Sequence, residues 1–368
     1  MTYYDESYAP LGTGASGVSG STSAPGFNFG SFRQAYADAR GYDLTVDDAW
    51  LSWFVGFCEG ECSFTLAARG DRSFVVSQGF RNLSVLLVIR DTLGFGRVVW
   101  QNRSVRSVRW VVQDRVGLRL IASLLEGNIV LAKRRDDMVR WAEPNWGKPS
   151  CAPCLASAPR FTLNDGWLSG FSDGEACFHA RVRTTRYRFE YSVSQGGVGA
   201  RDTLLHLRHI LGGGSVRPHS VPGAYTYAVT DLDVCGRISS YLERFPLRTT
   251  KALSHARWAT LRSSLLRDDH RVPALRSGLV DLALSINAFP DDGCRGDLCE
   301  RMDSPRRDLT HAGLRPADRI LKPTRATGDE PKPQPKSHIP EPRRSTRNLA
   351  RSSTQNPARG SERKRRDE

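Results

Sequence analysis

The sequence predicts an α+β protein made of two tandem αββαββα units related by a pseudo-twofold axis, with antiparallel sheets and a central two-helix interface. Three observations carry this prediction. "WFVGFCEGECSF" (Trp53 to Phe64) returns as "WLSGFSDGEACF" (Trp167 to Phe178), 114 residues later, with six of twelve positions identical and a seventh acidic in both (Glu59, Asp173). The segments downstream of each copy follow the same order. Landmarks within them keep nearly the same spacing: Gln78 lies 17 residues after Glu61 and Gln195 lies 20 after Glu175, while Asp114 and Asp231 stand 18 and 17 residues beyond the last glycine of "LGFG" and "LGGG".

Each element has its own signal. In the first unit an apolar helix ends at Glu61, and the alternating "CSFTLAARG" reads as a strand. A turn at Gly70-Asp71 leads to a second strand ending "FVVSQGF". "NLSVLLVIRDTLG" is helical, "GRVVW" and "VRWVVQD" form a hairpin, and the helix "GLRLIASLLEG" precedes "NIVLAKRRDDMVRWAE". The second unit repeats the order. "ACFHARVR" and "YRFEYSVSQGG" pair, "RDTLLHLRHILGGG" is its helix, "GSVRPHS" and "AYTYAVTD" are its second hairpin, and "DVCGRISSYLERFPLRTTKALSHARW" closes it. Composition divides the chain into a flexible Gly/Ser-rich segment 1–40, a first unit 41–146, a Pro-containing linker 147–161, a second unit 162–270, and an extension 271–368. The extension is basic and, beyond 300, too poor in large apolar residues to offset its chain entropy, so disorder is expected there. That tail either adds non-specific nucleic-acid affinity or only solubilises the chain.

The net charge of +14 favours a polyanionic partner, nucleic acid above all. The predominance of Arg over Lys suits bidentate contacts, or reflects a GC-rich genome. The eight cysteines are irregularly spaced and three sit in the repeated apolar stretches, which argues against a disulfide scaffold and for a reducing compartment. Cys151 and Cys154 in "CAPC" read either as half of a zinc site or as two free thiols in a linker. No run of 18 apolar residues is present, and the N-terminal residues carry Asp5 and Glu6 with no apolar core of a secretory signal.

The repeated helix contains two anomalies. Gly56 and Gly170 interrupt apolar segments, where each costs roughly 1 kcal/mol relative to Ala, so their recurrence suggests that the two helices touch. Two acids also end each copy, at the negative pole of the helix dipole. If the helices pair, Glu61 and Glu175 converge, and a hard divalent ion such as Mg²⁺ would relieve their repulsion. The bland alternative is that these acids are exposed helix ends. The following strands put Cys177, His179, Arg181 and Arg183 on one face, with Arg186, Arg188, Glu190 and Ser192 on the return strand. The first unit is milder, with Ser63, Thr65 and Arg69, and with Arg103, Arg106 and Arg109 along its later hairpin; Arg217 lies in the matching hairpin of the second. Such a face is either merely solvated or lies on DNA, whose major groove admits strands.

"WLSGFSDGEACF" and "WFVGFCEGECSF" resemble the signature helix of the LAGLIDADG homing endonucleases, in the variant with Glu at the metal-binding position. The likeness spans roughly 48–262 and extends to "SQ" after the second strand, to LGxG, and to "FPLRTTK". It implies a single-chain pseudo-twofold protein whose two sheets form a saddle over a double-stranded DNA target, with Mg²⁺ beneath the helix ends. It implies Glu61 and Glu175 as metal ligands, Gln78 and Gln195 as active-site glutamines, Lys251 as the basic residue at the phosphate, and Lys133 or Arg134 as its counterpart. It also implies Thr65, Arg69, Arg103, Arg106, Arg109, His179, Arg181, Arg183, Arg186, Arg188 and Arg217 at the DNA, a monomer, and an origin in a mobile intron of an organelle or microbial genome. Trp53 and Phe54 replace a smaller pair before Gly56, and Cys62 stands where Gly is common. An intron RNA maturase is the alternative; relatives of that kind can lose the acids, and both acids are present here.

Overall fold

The computed structural model describes residues 26–142, 158–289, 299 and 301–302. The Gly/Ser-rich residues 1–25, the Cys151/Cys154 pair within 143–157, and the tail beyond 302 lie outside the described residues.

The first unit runs α2 (Asp48–Glu61), β1 (Cys62–Leu66), β2 (Arg72–Gly79), α3 (Leu83–Leu93), β3 (Arg97–Asn102), β4 (Ser107–Val112), α4 (Arg115–Leu125) and α5 (Ala132–Trp141), preceded by α1 (Gly30–Arg40). The second runs α6 (Trp167–Glu175), β5 (Ala176–Val182), β6 (Tyr187–Gly196), α7 (Ala200–Leu211), β7 (Ser215–Pro218), β8 (Ala224–Val229), α8 (Leu232–Arg244) and α9 (Lys251–Leu266), followed by α10 (Pro273–Ser285). Each unit forms one antiparallel four-stranded sheet, ordered β1-β2-β4-β3 and β5-β6-β8-β7.

Alternation fixes which face of each sheet is covered. In the first, Phe74 opposes Val112 and Val76 opposes Trp110, and all four side chains are buried. In the second, Tyr191 opposes Val229 and Val193 opposes Tyr227, again all buried. The landmark residues of the two units have matching jobs. Asp114 and Asp231 are N-caps, accepting from Gly117 N at 2.7 Å and from Val234 N at 2.9 Å, so each starts the helix after its second hairpin. The last glycine of each LGxG takes positive φ, 77° at Gly96 and 92° at Gly214. There a Cβ would strike the rings of Trp110 and Tyr227 at 2.4 and 2.6 Å.

The N-terminal end of the fold departs from the expectation drawn from composition. Residues 30–40, assigned to the flexible segment, form α1, because Phe29, Phe32 and Tyr36 recur at helical spacing and are buried. Tyr36 Oη donates to Leu93 O at 3.1 Å, and Arg33 donates to Leu44 O and Val46 O at 3.1 and 2.7 Å, which anchors the approach to α2. At the other end α10 packs on β5 through Leu279 and Ala283, and Asn287 Nδ2 donates to Phe178 O at 2.8 Å. Cys58, Cys62 and Cys235 are buried free thiols, Cys177 is an exposed one, and Cys299 is disulfide-bonded. No helix among the described residues is long and apolar enough to cross a membrane.

Candidate active site at the paired helix ends

Helices α2 and α6 lie in direct backbone contact. A Cβ built on Gly170 would sit 1.8 Å from Trp53 O, and one on Gly56 would sit 2.1 Å from Trp167 O. Further along, a Cβ on either Gly60 or Gly174 would meet the other's Cα at 3.1 Å. No residue larger than Gly fits at Gly56 or Gly170 without separating the helices. Trp53 and Phe54 do not hold the pair apart. The Trp53 indole reaches across it, donating from Nε1 to Asp173 Oδ2 at 2.9 Å, and Trp167 Nε1 answers by donating to Glu59 Oε1 at 2.8 Å.

The four acids at the helix ends divide into two kinds. Glu59 and Asp173 are 2% exposed and point inward. Glu59 accepts from Val130 N at 2.9 Å and Leu131 N at 2.6 Å, and Asp173 accepts from Arg248 N at 2.8 Å and from Thr249 N and Oγ1 at 3.1 and 2.6 Å. Each carboxylate thus fastens the start of its own unit's last helix and binds the indole of the other unit. Burial pushes Glu59 up to about 7 against those donors, and pushes Asp173 upward too. These two residues hold the frame together, a role the sequence did not separate from that of the outer pair.

Glu61 and Glu175 form the outer pair and are half-buried. A Cβ on Gly60 would lie 3.6 Å from Glu175 Oε1, and one on Gly174 would lie 3.5 Å from Glu61 Cγ, so the Gly60–Gly174 contact brings the two side chains together. Desolvation raises both pKa values. The Glu61 charge raises that of Glu175 further, while Lys251 and Arg134 oppose the rise at both. Among the described residues neither carboxylate has an ion-pair partner within 4.0 Å.

The bases nearby cap helix ends. Lys251 Nζ donates to Ser172 O at 3.1 Å and Gly174 O at 2.8 Å, and burial lowers its pKa against the pull of Asp173, Glu61 and Glu175. In the first unit Arg134 caps the helix end, from Nε to Glu59 O at 2.8 Å, Nη1 to Cys62 O at 3.0 Å and Nη2 to Gly60 O at 3.4 Å, of which Gly60 O matches Gly174 O. Lys133 is exposed and its stem lies against Gly197 of the second unit. Of the two candidates, Lys133 stands at the position matched to Lys251, while Arg134 is the one that reaches the end of α2 as Lys251 reaches the end of α6. Gln78 is buried, accepts from Asn82 Nδ2 at 2.7 Å, and favours the ionised form of Glu61. Gln195 is half-buried, and among the described residues its side chain has no hydrogen-bond partner.

No group of three or more His, Cys, Asp or Glu that could hold a metal occurs among the described residues. Two hard carboxylates at a partly open helix end do not make a closed cage. They fit an ion that keeps most of its positions for water and phosphate oxygens, as Mg²⁺ does.

The sequence profile described as LAGLIDADG endonuclease matches residues 168–261. A probable intron-encoded endonuclease 4 of Neurospora crassa is 30% identical over 238 residues, covering 62% of this chain and 43% of that protein. An uncharacterized cox1 intron-2 protein of 37.2 kDa from Schizosaccharomyces pombe is 18% identical, covering 58% of this chain and 65% of its own length. The solved structure of the LAGLIDADG homing endonuclease I-GzeII in complex with its DNA target matches with a TM-score of 0.54 at 15% identity, covering 65% of this chain and 99% of that one. LAGLIDADG meganuclease I-AabMI, bound to uncleaved DNA, matches at 0.53 and 17%, covering 64% and 99%. Residues 168–261, most of the second unit, are thus similar to the LAGLIDADG endonuclease family, and the fold is that of the LAGLIDADG structures it matches. The chain spans less than two thirds of the length of either curated relative.

Across the open sheet faces, the basic residues read from the sequence are unequally disposed. On the second sheet His179, Arg181, Arg183, Arg186, Arg188 and Arg217 are all exposed, Arg181 lies opposite Arg188, and His179 lies opposite Glu190. Arg188 is tied to Glu190 at 2.9 Å, and Arg217 Nε donates to Ser215 Oγ at 3.0 Å. On the first sheet Thr65 is exposed and Arg109 is half-buried between Ser77 and Val99. Arg69 pairs with Asp71 in the β1–β2 turn. The β3–β4 turn holds Arg103 over the Trp100 ring at 5.5 Å and Arg106 over Phe80 at 5.0 Å, so these two stack on aromatic rings at the sheet end. The open face of the second sheet is therefore the more basic of the two.

Proposed function

We propose that this protein is a site-specific endonuclease that cuts both strands of a long double-stranded DNA target by divalent-metal-dependent phosphodiester hydrolysis, with Mg²⁺ as the ion. The observation that carries this reading is the pairing of Glu61 and Glu175 at the Gly60–Gly174 contact, with no side chain tied to either as an ion pair among the described residues. An RNA-binding relative that does not cut has no need to keep two desolvated carboxylates that repel each other.

In this reading Glu61 and Glu175 would hold the ion. Bound divalent ions in such sites supply an activated water and neutralise charge at the attacking and leaving oxygens. Gln78 favours the ionised form of Glu61, and Gln195 stands at the matching register of the second sheet. Lys251 and Arg134 supply positive potential at both acids while satisfying the carbonyls at the helix ends. Neutralising those carbonyls removes the unfavourable dipole that would otherwise face a phosphate. Thr65, Arg109 and the exposed bases of β5, β6 and β7 hold the DNA across the two sheets. Phosphate contacts position it, and strand side chains read base edges. Both curated relatives are intron proteins by name, and we extend to this chain an origin in a mobile intron and an organellar site of action.

The test is cleavage of a randomised duplex library by the full chain in Mg²⁺, with recovery of the cut ends. The expected result is one recurring site with a break in each strand. Recovery of no enriched site, with RNA retained instead, would favour the maturase reading.

A further inference from the structure

The same contact between the units occurs twice, and only one version carries a polar bridge. The two inner acids set the correspondence. Glu59 accepts from Val130 N and Leu131 N as Asp173 accepts from Arg248 N and Thr249 N, so Ala132 answers Thr250. Four residues after Gln78 stands Asn82, and four after Gln195 stands Gly199. Each faces the start of the other unit's last helix. Thr250 N donates to Asn82 Oδ1 at 2.9 Å, whereas at the other contact a Cβ on Gly199 would lie 3.2 Å from Ala132 Cβ.

Asn82 does a second thing: its Nδ2 donates to Gln78 Oε1 at 2.7 Å. With Oε1 engaged, the Gln78 amide has only its Nε2 hydrogens to offer Glu61, the orientation a carboxylate needs. The chain Glu61–Gln78–Asn82–Thr250 thus runs from one acid to the residue preceding Lys251, which caps the helix bearing the other acid. In the second unit Gly199 offers no such group, and among the described residues the Gln195 side chain has no hydrogen-bond partner.

We propose that Asn82 is a positioning residue that locks the Gln78 amide toward Glu61 and makes the two halves of the paired-acid site unequal, so that the two DNA strands depend on it to different degrees. This rests on the nuclease reading above.

The test uses the duplex recovered from the library, labelled separately on each strand, with wild type, Asn82→Asp and Asn82→Leu. Both variants lose the donor to Gln78 Oε1, and only Asn82→Asp keeps an acceptor for Thr250 N. Hydrogen exchange at the Thr250 amide reads the bridge without reference to cleavage. Protection is expected to persist in Asn82→Asp and to fall in Asn82→Leu. Cleavage of one strand is expected to slow by about fivefold to tenfold in both variants, the rate equivalent of one positioned hydrogen bond, while the other strand stays within about twofold and nicked duplex accumulates. Equal slowing of both strands, or unchanged cleavage of both, in an Asn82→Asp protein that keeps Thr250 protected would overturn the inference. Failure of the wild type to cut either strand would overturn the nuclease reading, and this inference with it.

Discussion

The backbone contact between α2 and α6 makes Gly170→Ala the most informative single change to the frame. The added methyl would sit 1.8 Å from Trp53 O and 2.7 Å from Phe57 N, where 3.0 Å is the shortest approach real Cβ atoms show. One helix must retreat by about 1 Å or more, and overpacking of this kind typically costs about 1–3 kcal/mol. The retreat also stretches Trp53 Nε1–Asp173 and Trp167 Nε1–Glu59, now at 2.9 and 2.8 Å, toward the limit of hydrogen bonding. Each carboxylate keeps its backbone donors, so this adds about 1 kcal/mol apiece rather than the full cost of an orphaned charge. The sum is a loss of about 3–5 kcal/mol in unfolding free energy, read by urea titration with tryptophan fluorescence. Gly278→Ala is the control, because a Cβ there meets nothing within 4 Å and lies inside α10. That change should stabilise by about 0.5–1 kcal/mol. A Gly170→Ala protein within about 1 kcal/mol of wild type would refute the close approach and the geometry built on it.

Three further outcomes follow from the site. Arg134→Ala removes three hydrogen bonds to the end of α2 and should cost about 2 kcal/mol in thermal or urea unfolding, while Lys133→Ala, exposed, should stay within about 0.5 kcal/mol. His255 is held neutral by burial, its pKa lowered from 6.5 to about 4, so the unfolded chain binds its proton first and stability rises with pH across that window. Relative to His255→Gln, the wild type should lose up to about 3 kcal/mol between pH 7 and pH 4 in parallel urea titrations; a constant difference would contradict the burial. Burial also raises Glu61 and Glu175 above 4.5, and metal competes with protons for the ionised forms. The acid limb of the cleavage profile should therefore lie above the ordinary carboxylate range, and about tenfold more Mg²⁺ should move it down by about one pH unit if one proton is displaced and about half a unit if two are.

Much of the frame was legible because repetition amplifies weak signals. One glycine in an apolar helix says little, but Gly56 and Gly170 at matched positions announced a contact between helices, and the structure has it. Alternation along β5 and β6 assigned the open and covered faces correctly for His179, Arg181, Phe189 and Tyr191. Helix α1 was missed because its three aromatic residues stand beside a long Gly/Ser run that dominates the composition. The inner acids were grouped with the outer ones because the two residues between them turn the helix by only about 200°, and spacing alone does not set which residue ends up at the tip. The choice between Lys133 and Arg134 depends on a side chain crossing to Gly197, a contact between units that no local pattern encodes. The bridge through Asn82 is of the same kind, since its partners lie 4 and 168 residues away.

The central claim is that Glu61 and Glu175, one from each paired helix, form a single metal-dependent centre for DNA hydrolysis. Glu61→Gln and Glu175→Gln keep the size of each side chain and remove its charge. The decisive measurement is strand-resolved cleavage of the recovered target in Mg²⁺, made beside an equilibrium binding titration on the same duplex. Double-strand cleavage should vanish in each variant while binding stays within about tenfold of wild type. Undiminished cleavage by both variants would contradict the account.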